Sequence, residues 1–240
     1  LIDTKRCFGC GRCASVCIRD SITMVKGKAV YSGDDCYRCY HCYAVCPSGA
    51  VGLKYLPDHK EQLVALEHVN YENYIKLVKD RRSFRWFTND KLTSEELDKL
   101  LVVGGYTPTG LNAQGIEFIV VDERLDEFMK MIYSILSKVE DPHPRVVDFC
   151  KYMEGEYNNP KGHPLLWTGK QVILGFSKDP IDSILAMSRV EMVAESMGLG
   201  GFYSKFIMDA AKSDPKAISS FFPEIPEDKG LHCVFVVGHP

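Results

Sequence analysis

Cys7-Phe8-Gly9-Cys10-Gly11-Arg12-Cys13-Ala14-Ser15-Val16-Cys17 and Cys36-Tyr37-Arg38-Cys39-Tyr40-His41-Cys42-Tyr43-Ala44-Val45-Cys46-Pro47 are two copies of one pattern, C-x2-C-x2-C-x3-C. Each cysteine of the first run recurs 29 residues later. The repeat reaches past the cysteines. Five residues beyond the last one of each run stands an aliphatic residue, Ile22 or Val51, in a short β-like stretch, which reads as a duplicated pair of small units. Eight of the ten cysteines in the 240-residue chain lie in these runs. Structural zinc takes four ligands, usually as two separated pairs, and fits two unbroken runs poorly. A disulfide framework belongs to secreted chains, and no apolar signal segment stands at the start of this sequence.

The spacing resembles that of the bacterial two-cluster ferredoxins. In that family three closely spaced thiolates reach three irons of one 4Fe–4S cube, and the fourth cysteine of each run belongs to the other cube. The resemblance implies one cluster on Cys7, Cys10, Cys13 and Cys46, and a second on Cys36, Cys39, Cys42 and Cys17. The sequence departs from the pattern once: Pro47 follows Cys46, but Ile18 follows Cys17. His41 lies between two ligands and reads as a shield or hydrogen-bond donor to a cluster, since the cysteine set is already complete. So small a unit has little apolar core, and the clusters are expected to hold it together.

A chain of 240 residues accommodates two domains. The composition is globular, 45% hydrophobic and 25% charged, and no apolar run is long enough to span a bilayer. A formal net charge of -3 gives no reason to expect nucleic-acid binding. Reduced thiolates and oxygen-sensitive clusters point to a cytoplasm, and an anaerobic one. Of the two remaining cysteines, Cys233 lies in the apolar run 232–237, a buried strand by its composition, so packing is its expected role.

Leu56-Pro57-Asp58-His59 marks a boundary, which divides the chain into a cluster domain over 1–56, a linker and helix over 57–70, and a second domain over 71–240. Apolar residues recur at helical spacing from Lys60 to Val69 and again from Tyr71 to Val78. Thr93-Ser94-Glu95-Glu96 is a capping box that predicts a helix ending near Gly104-Gly105. A polar loop follows over 106–115, then a strand at 117–121 and an amphipathic helix over 125–139, broken by Asp141-Pro142-His143-Pro144. The stretch 154–164, rich in Gly, Pro, Asn and charge, reads as a mobile loop or lid. A buried strand at 172–176, a long helix over 181–197 stopped by Gly198-Leu199-Gly200-Gly201, short helical pieces and a last strand at 234–237 complete the chain.

Four segments of the second domain carry chemistry. Arg81-Arg82-Ser83-Phe84-Arg85 supplies guanidinium forks and a hydroxyl, the groups that hold a phosphate dianion best. Taken alone it also reads as a solvated basic helix end. Together with Pro108-Thr109-Gly110-Leu111-Asn112-Ala113-Gln114, Ala194-Glu195-Ser196-Met197-Gly198-Leu199-Gly200-Gly201 and Val236-Val237-Gly238-His239-Pro240, it resembles the nitroreductase flavoproteins in motif order and spacing over 71–240.

The resemblance implies an α+β fold with a central, mainly antiparallel sheet flanked by helices, and a homodimer with FMN at its interface. It implies that Arg81, Arg82 and Ser83 hold the FMN phosphate and that Arg85 stands at the flavin's pyrimidine edge. Pro108, Thr109, Asn112 and Gln114 would reach the partner subunit's FMN. Gly200, Gly201, Tyr203 and Ser204 would meet the flavin ring, although Phe202-Tyr203-Ser204-Lys205 departs from the small-aromatic-Gly-Gly pattern usual there. No catalytic side chain is singled out. The expected activity is transfer of electrons from a low-potential donor, a ferredoxin or NAD(P)H, through two 4Fe–4S clusters to FMN and on to a small organic acceptor such as a nitroaromatic or quinone. The alternative is a relay that passes electrons to a protein partner and has no small substrate of its own.

Overall fold

The protein is described here from a computed structural model, covering residues 2–32, 36, 37, 39–52, 69–157 and 161–240. Two compact units divide it, one formed by residues 1–68 with 111–113 and one by 69–110 and 114–240. The boundary expected over 57–70 and the helical run expected from Lys60 lie almost wholly outside the described residues.

In the first unit each cysteine run opens a short helix, α1 (Arg12–Ser15) and α2 (His41–Ala44). Both begin after a left-handed residue, Gly11 at φ 74° and Tyr40 at φ 63°, so the duplication seen in the sequence is also a duplication of backbone conformation. Strands β1 (Ile22–Val25) and β2 (Lys28–Tyr31) form an antiparallel hairpin. Its two-residue turn, Lys26-Gly27, has positive φ at both positions, the conformation that matches the right-handed twist of the flanking strands. Gly9 is fixed by space: a Cβ there would stand 2.1 Å from the carbonyl oxygen of Gly27. The β-like stretch expected at Val51 is a single antiparallel bridge to Ile2. The core is small and consists of Cys7, Cys13, Ile22, Ala29, Ala50 and Val51.

The second unit runs through α3 (Tyr71–Asp80), α4 (Ser94–Leu101), β3 (Glu117–Val121), α5 (Leu125–Leu136), α6 (Pro144–Met153), β4 (Gln171–Ser177), α7 (Pro180–Ser196), β5 (Gly200–Tyr203), α8 (Lys205–Ser213), α9 (Pro215–Phe221) and β6 (Gly230–Gly238). The sheet has the order β3-β4-β6-β5 and every pairing is antiparallel. Side chains of β4 and β6 alternate between two cores, as a strand's period of two requires. Val172, Leu174, Phe176, Val234 and Val236 join Phe128, Ile132, Phe149 and Ile207 of α5, α6 and α8. Ile173, Cys233, Phe235 and Val237 face Met187, Val190 and Ala194 of α7. Cys233 is therefore a packing residue, and burial pushes its thiol up to about 12.

The capping box forms with both of its reciprocal hydrogen bonds, between Thr93 and Glu96. The helix it starts ends at Leu101 and continues as a 3-10 turn to Tyr106. The Asp-Pro-His-Pro break becomes the start of α6, where the His143 ring accepts from the Arg145 amide. The end of the expected lid is anchored: Pro164, Leu165 and Leu166 are buried, and His163 and Trp167 pair across a closed turn. The helix stop also differs from expectation. Gly198, at φ 73°, takes the left-handed turn, whereas Gly200 and Gly201 lie in β5. A Cβ on Gly201 would come within 2.1 Å of the Phe235 ring, and one on Gly200 within 2.6 Å of Phe84.

Candidate functional sites

Two cavities in the first unit gather the eight motif cysteines. One is lined by Cys7, Cys10, Cys13 and Cys46, the other by Cys17, Cys36, Cys39 and Cys42, with His41 in the second wall. This is the interleaved grouping that the ferredoxin resemblance implies. Among the described residues no three His, Cys, Asp or Glu side chains converge as ligands of a single ion. Point ligation would draw sulfurs to about 3.8 Å from one another, given metal–sulfur bonds of about 2.3 Å. A cube spreads its four cysteines over four irons, and each cavity offers four.

The thiols' electrostatics suit a cationic core. Burial, then the neighbouring Cys46 and Cys10 thiols, raise Cys13 against the lowering effect of nearby amides. Cys42 is raised in the same way by burial and by Cys39, Cys36 and Cys17. At Cys46 burial is outweighed by hydrogen bonding from Val51, Ser48 and Ala50, and the thiol sits below its ordinary range. The Ala50 amide donates to Cys46 Sγ at 3.2 Å. Thiolates must form for metal to bind, so these groups would give up their protons to hold a cluster.

In the second unit Ser83 bridges Gly201 in parallel, and the Phe84 amide donates to the Gly201 carbonyl at 2.9 Å. The segment Arg81–Arg85 thereby lies along β5. Thr168 pins the segment from the other side: its hydroxyl accepts from the Phe87 amide at 2.5 Å and donates to the Phe87 carbonyl at 3.1 Å. Arg82 and Ser83 are exposed, and Arg82 folds back onto the carbonyls of Lys79 and Arg81. Arg81 Nη1 lies 3.2 Å from Glu191 Oε1, and the Tyr203 hydroxyl donates to Glu191 Oε2 at 3.1 Å. Burial, then the Glu191 charge, pushes Tyr203 far above the usual phenol range, so Tyr203 keeps its proton and serves as a donor. Sequence reasoning missed Glu191. It sits 110 positions from Arg81, within an otherwise ordinary helix.

The loop over 107–114 is closed on itself. Thr109 Oγ1 accepts from the Gln114 amide at 2.9 Å, and Gln114 Nε2 donates to the Thr107 carbonyl at 3.0 Å. The Gly110 amide reaches Asp182 Oδ1 at 3.3 Å. Leu111, Asn112 and Gln114 all have positive φ, at 55°, 53° and 50°, an unusual concentration outside glycine and one that marks functional loops. None of these described hydrogen bonds runs from the loop to Arg81–Arg85 within one chain, and Pro108 is exposed.

Arg85, Tyr203 and Ser204 share a cleft of about 370 Å³ with Arg145, Trp167 and Phe202. The Arg85 guanidinium carbon stands 5.8 Å from the Trp167 ring centre and 5.5 Å from that of Phe202. A larger cleft of about 770 Å³ also borders Trp167 and includes Lys91, Asp122, Asp126 and His163. It contains none of the residues expected to hold FMN. His163 Nδ1 accepts from the amides of Leu165 and Leu166 at 3.1 Å each, so Nε2 carries the proton, and among the described residues that buried atom has no partner. Burial pushes the imidazole down to about 4.

Comparison with known proteins places these units. A family model for the 4Fe-4S dicluster domain matches residues 1–66. The same part is similar to an uncharacterized ferredoxin of Methanocaldococcus jannaschii, 32% identical over 65 residues, which are 25% of this chain and 84% of that protein. Among solved structures the fold is similar to a nitroreductase with bound FMN from Bacteroides fragilis, with a TM-score of 0.58 at 16% identity, covering 71% of this chain and 89% of that one. A nitroreductase with bound FMN from Desulfitobacterium hafniense gives a TM-score of 0.54 at 20% identity, covering 69% and 88%. The model of the nitroreductase family matches residues 78–239, two thirds of the sequence. The chain belongs to the nitroreductase family and carries a 4Fe-4S dicluster domain ahead of its nitroreductase domain.

Proposed function

We propose that the protein is an FMN-dependent oxidoreductase. A low-potential one-electron donor would feed two 4Fe–4S clusters, and these would supply an FMN that reduces a small organic acceptor. The observation that carries this reading is the alignment of Arg81–Arg85 with β5 through the Ser83–Gly201 bridge. It places the backbone segment that carries Arg81, Ser83 and Arg85 beside a close-packed glycine strand. FMN, when bound, supplies the conversion between single electrons and electron pairs.

The chain's residues hold and orient it. Arg81 keeps one nitrogen on Glu191 and has further donors in its planar fork for a phosphate, with the Ser83 hydroxyl as a second ligand. Arg85, held against Trp167 and Phe202, offers a permanent cation to the pyrimidine edge. Tyr203 keeps its proton and donates a hydrogen bond to the Glu191 carboxylate, which in turn holds the Arg81 fork. The family resemblance gives the loop over 107–114 to a partner subunit's site, and the working form would be a homodimer. Cys7, Cys10, Cys13 and Cys46 would hold one cluster, and Cys17, Cys36, Cys39 and Cys42 the other. Among the described residues no helix is long and apolar enough to cross a membrane.

The cleft of about 370 Å³ beside Arg85 favours an enzyme over a relay, because a relay needs an exposed cofactor edge and no chamber. Anaerobic purification tests this directly, with iron, sulfide and FMN counted on one sample and an acceptor screen run on the same sample. About eight irons and one flavin per chain, with turnover of nitroaromatics or quinones, are expected. A sample with flavin and clusters that turns over no small acceptor, yet reduces a redox protein, would establish the relay instead.

A further inference from the structure

We infer that electrons enter at the cage of Cys7, Cys10, Cys13 and Cys46, through an uncovered patch at Cys10, and that the carrier docking there is a small acidic one-electron redox protein. The port rests on the cluster-fed reading above and names its partner. One electron passes from the reduced carrier into the cage, and no bond forms or breaks. Electron transfer weakens steeply with distance, so a bare ligand is the natural point of entry.

The duplication provides an internal control. Cys10 is exposed and stands between Gly9 and Gly11, whereas its repeat counterpart Cys39 is half-buried and stands between Arg38 and Tyr40. Gly9 is required by the nearby carbonyl of Gly27. Gly11 is not required: Tyr40 holds the same left-handed turn with a full side chain, and a Cβ on Gly11 would meet nothing within 4 Å. The bare surface beside Cys10 is therefore no demand of the backbone. The walls differ in the same sense. Ile18, Tyr31, Tyr37, Tyr40 and His41 line the second cage, and the Arg19 guanidinium carbon sits 4.7 Å from the Tyr37 ring centre. The first wall has one large ring, Phe8, which is 65% exposed against 36% for its counterpart Tyr37. An open aromatic ring beside an open ligand is the kind of surface that protein interfaces use. Cys36 of the second cage is also exposed, next to the Tyr37–Arg19 stack, and this is the competing port.

Charge selects the carrier. Residues 1–56 hold eight Lys and Arg against four Asp and Glu, a formal +4, while the rest of the chain holds 21 against 28, a formal -7. In the chain flanking Cys10, Lys5, Arg6 and Arg12 are exposed, and the Lys28 ammonium donates to the Cys7 carbonyl. Asp3 faces Arg6 at 3.9 Å, whereas Lys5 and Arg12 pair with no carboxylate among the described residues. Bound clusters would place negative charge inside the cages, but these cations stand outside and meet a partner's carboxylates first. Opposite charge steers encounter, raising association rates by about 10- to 1,000-fold, and the effect fades with salt.

The test is stopped-flow bleaching of the cluster absorbance under argon, on the full chain with iron, sulfide and FMN counted. The donors are a reduced acidic ferredoxin, dithionite, and the methyl viologen radical, a one-electron donor that is itself a cation. The ferredoxin rate is expected to fall as ionic strength rises. Arg12→Glu should slow it about tenfold or more at low salt, with the gap closing at high salt, and should not slow the viologen radical. Gly11→Tyr, which copies the second repeat, should slow ferredoxin and leave dithionite unaffected. If Gly11→Tyr loses iron, Arg12→Glu and the salt dependence decide the matter. A ferredoxin rate that is unchanged in Arg12→Glu, or that rises with salt, would overturn the inference. So would a loss in Arg19→Glu in place of Arg12→Glu, because entry would then lie at the second cage. Failure of the flavoenzyme reading shows separately, as absence of FMN from a sample whose clusters still bleach, and failure of the cluster assignment as absence of iron.

Discussion

The two units are held together by different physics. The sheet unit has an apolar core on each face of β4 and β6, with Phe128, Ile132, Phe149, Met187 and Phe235 all nearly inaccessible. The cysteine unit buries six residues in its core, two of them motif cysteines and two of them alanines. At about 25 cal/mol per Å² such a core offsets little of the entropy lost on ordering the backbone. What remains is the binding energy of whatever fills the two cavities, which in small metal domains is the folding energy itself. The lesson is a division of risk: iron supply governs one unit and packing governs the other.

The largest effect expected is therefore loss of the cysteine unit alone. Cys10→Ala should remove one cluster, lowering iron from about eight to about four per chain, while the sheet unit keeps its FMN and its thermal transition. An anaerobic sample of the variant with about eight irons would break the assignment.

Packing should give the mirror result. A valine at position 201 drives methyl groups into the Phe235 ring, which already lies 2.1 Å from where a Cβ would stand. Gly201→Val is expected to cost the sheet unit about 3 kcal/mol, the upper end for overpacking, with iron content unchanged. A variant of wild-type stability by denaturant titration would show that β5 has room to move.

Acid should also separate the units, through His163. The unfolded imidazole binds a proton below about 6.5, and the buried one only near 4. The unfolded state thus holds more protons between these values. Stability is full above about 6.5, falls as pH drops through the window and levels off near 4, a total of about 3 kcal/mol. His163→Asn keeps an acceptor for the Leu165 and Leu166 amides and removes the titration. If the variant's sheet unit loses stability with the same slope in denaturant melts, another group is responsible.

The smallest effect concerns the ligand. Arg81→Ala should weaken FMN binding by about 1.5–3 kcal/mol and riboflavin binding much less, because only FMN carries the phosphate. Equal losses for both flavins would make Arg81 a structural partner of Glu191 and nothing more.

How much of this was legible in the sequence follows the same division. The cysteine cage was readable because ligand spacing is local and repeated. Even the interleaving of Cys17 and Cys46 followed from the ferredoxin resemblance. The capping box at Thr93 was readable for the same reason, since its chemistry spans four residues. Strand β5 was not: Gly200-Gly201-Phe202-Tyr203 has no alternation, and its glycines answer to the distant rings of Phe84 and Phe235. The Glu191 contacts to Arg81 and Tyr203 needed a helix laid against a strand, and the approach of both Arg85 and Arg145 to one ring needed the turn at Trp167, held at φ 59°. Motif reading found the groups that touch a cofactor and missed the groups that hold them in place.

The central claim is that the metal-held unit feeds the packed one, and stopped-flow reduction under argon tests it most directly. A reduced ferredoxin, NADH and NADPH would each be mixed with wild type and with Cys39→Ala while the flavin absorbance is followed. Bacterial-type clusters commonly work at low potential, so fast flavin reduction by ferredoxin is expected in the wild type, with a large loss in Cys39→Ala and slow or absent reduction by the nicotinamides. Equal ferredoxin-driven rates with and without the second cluster would contradict the account.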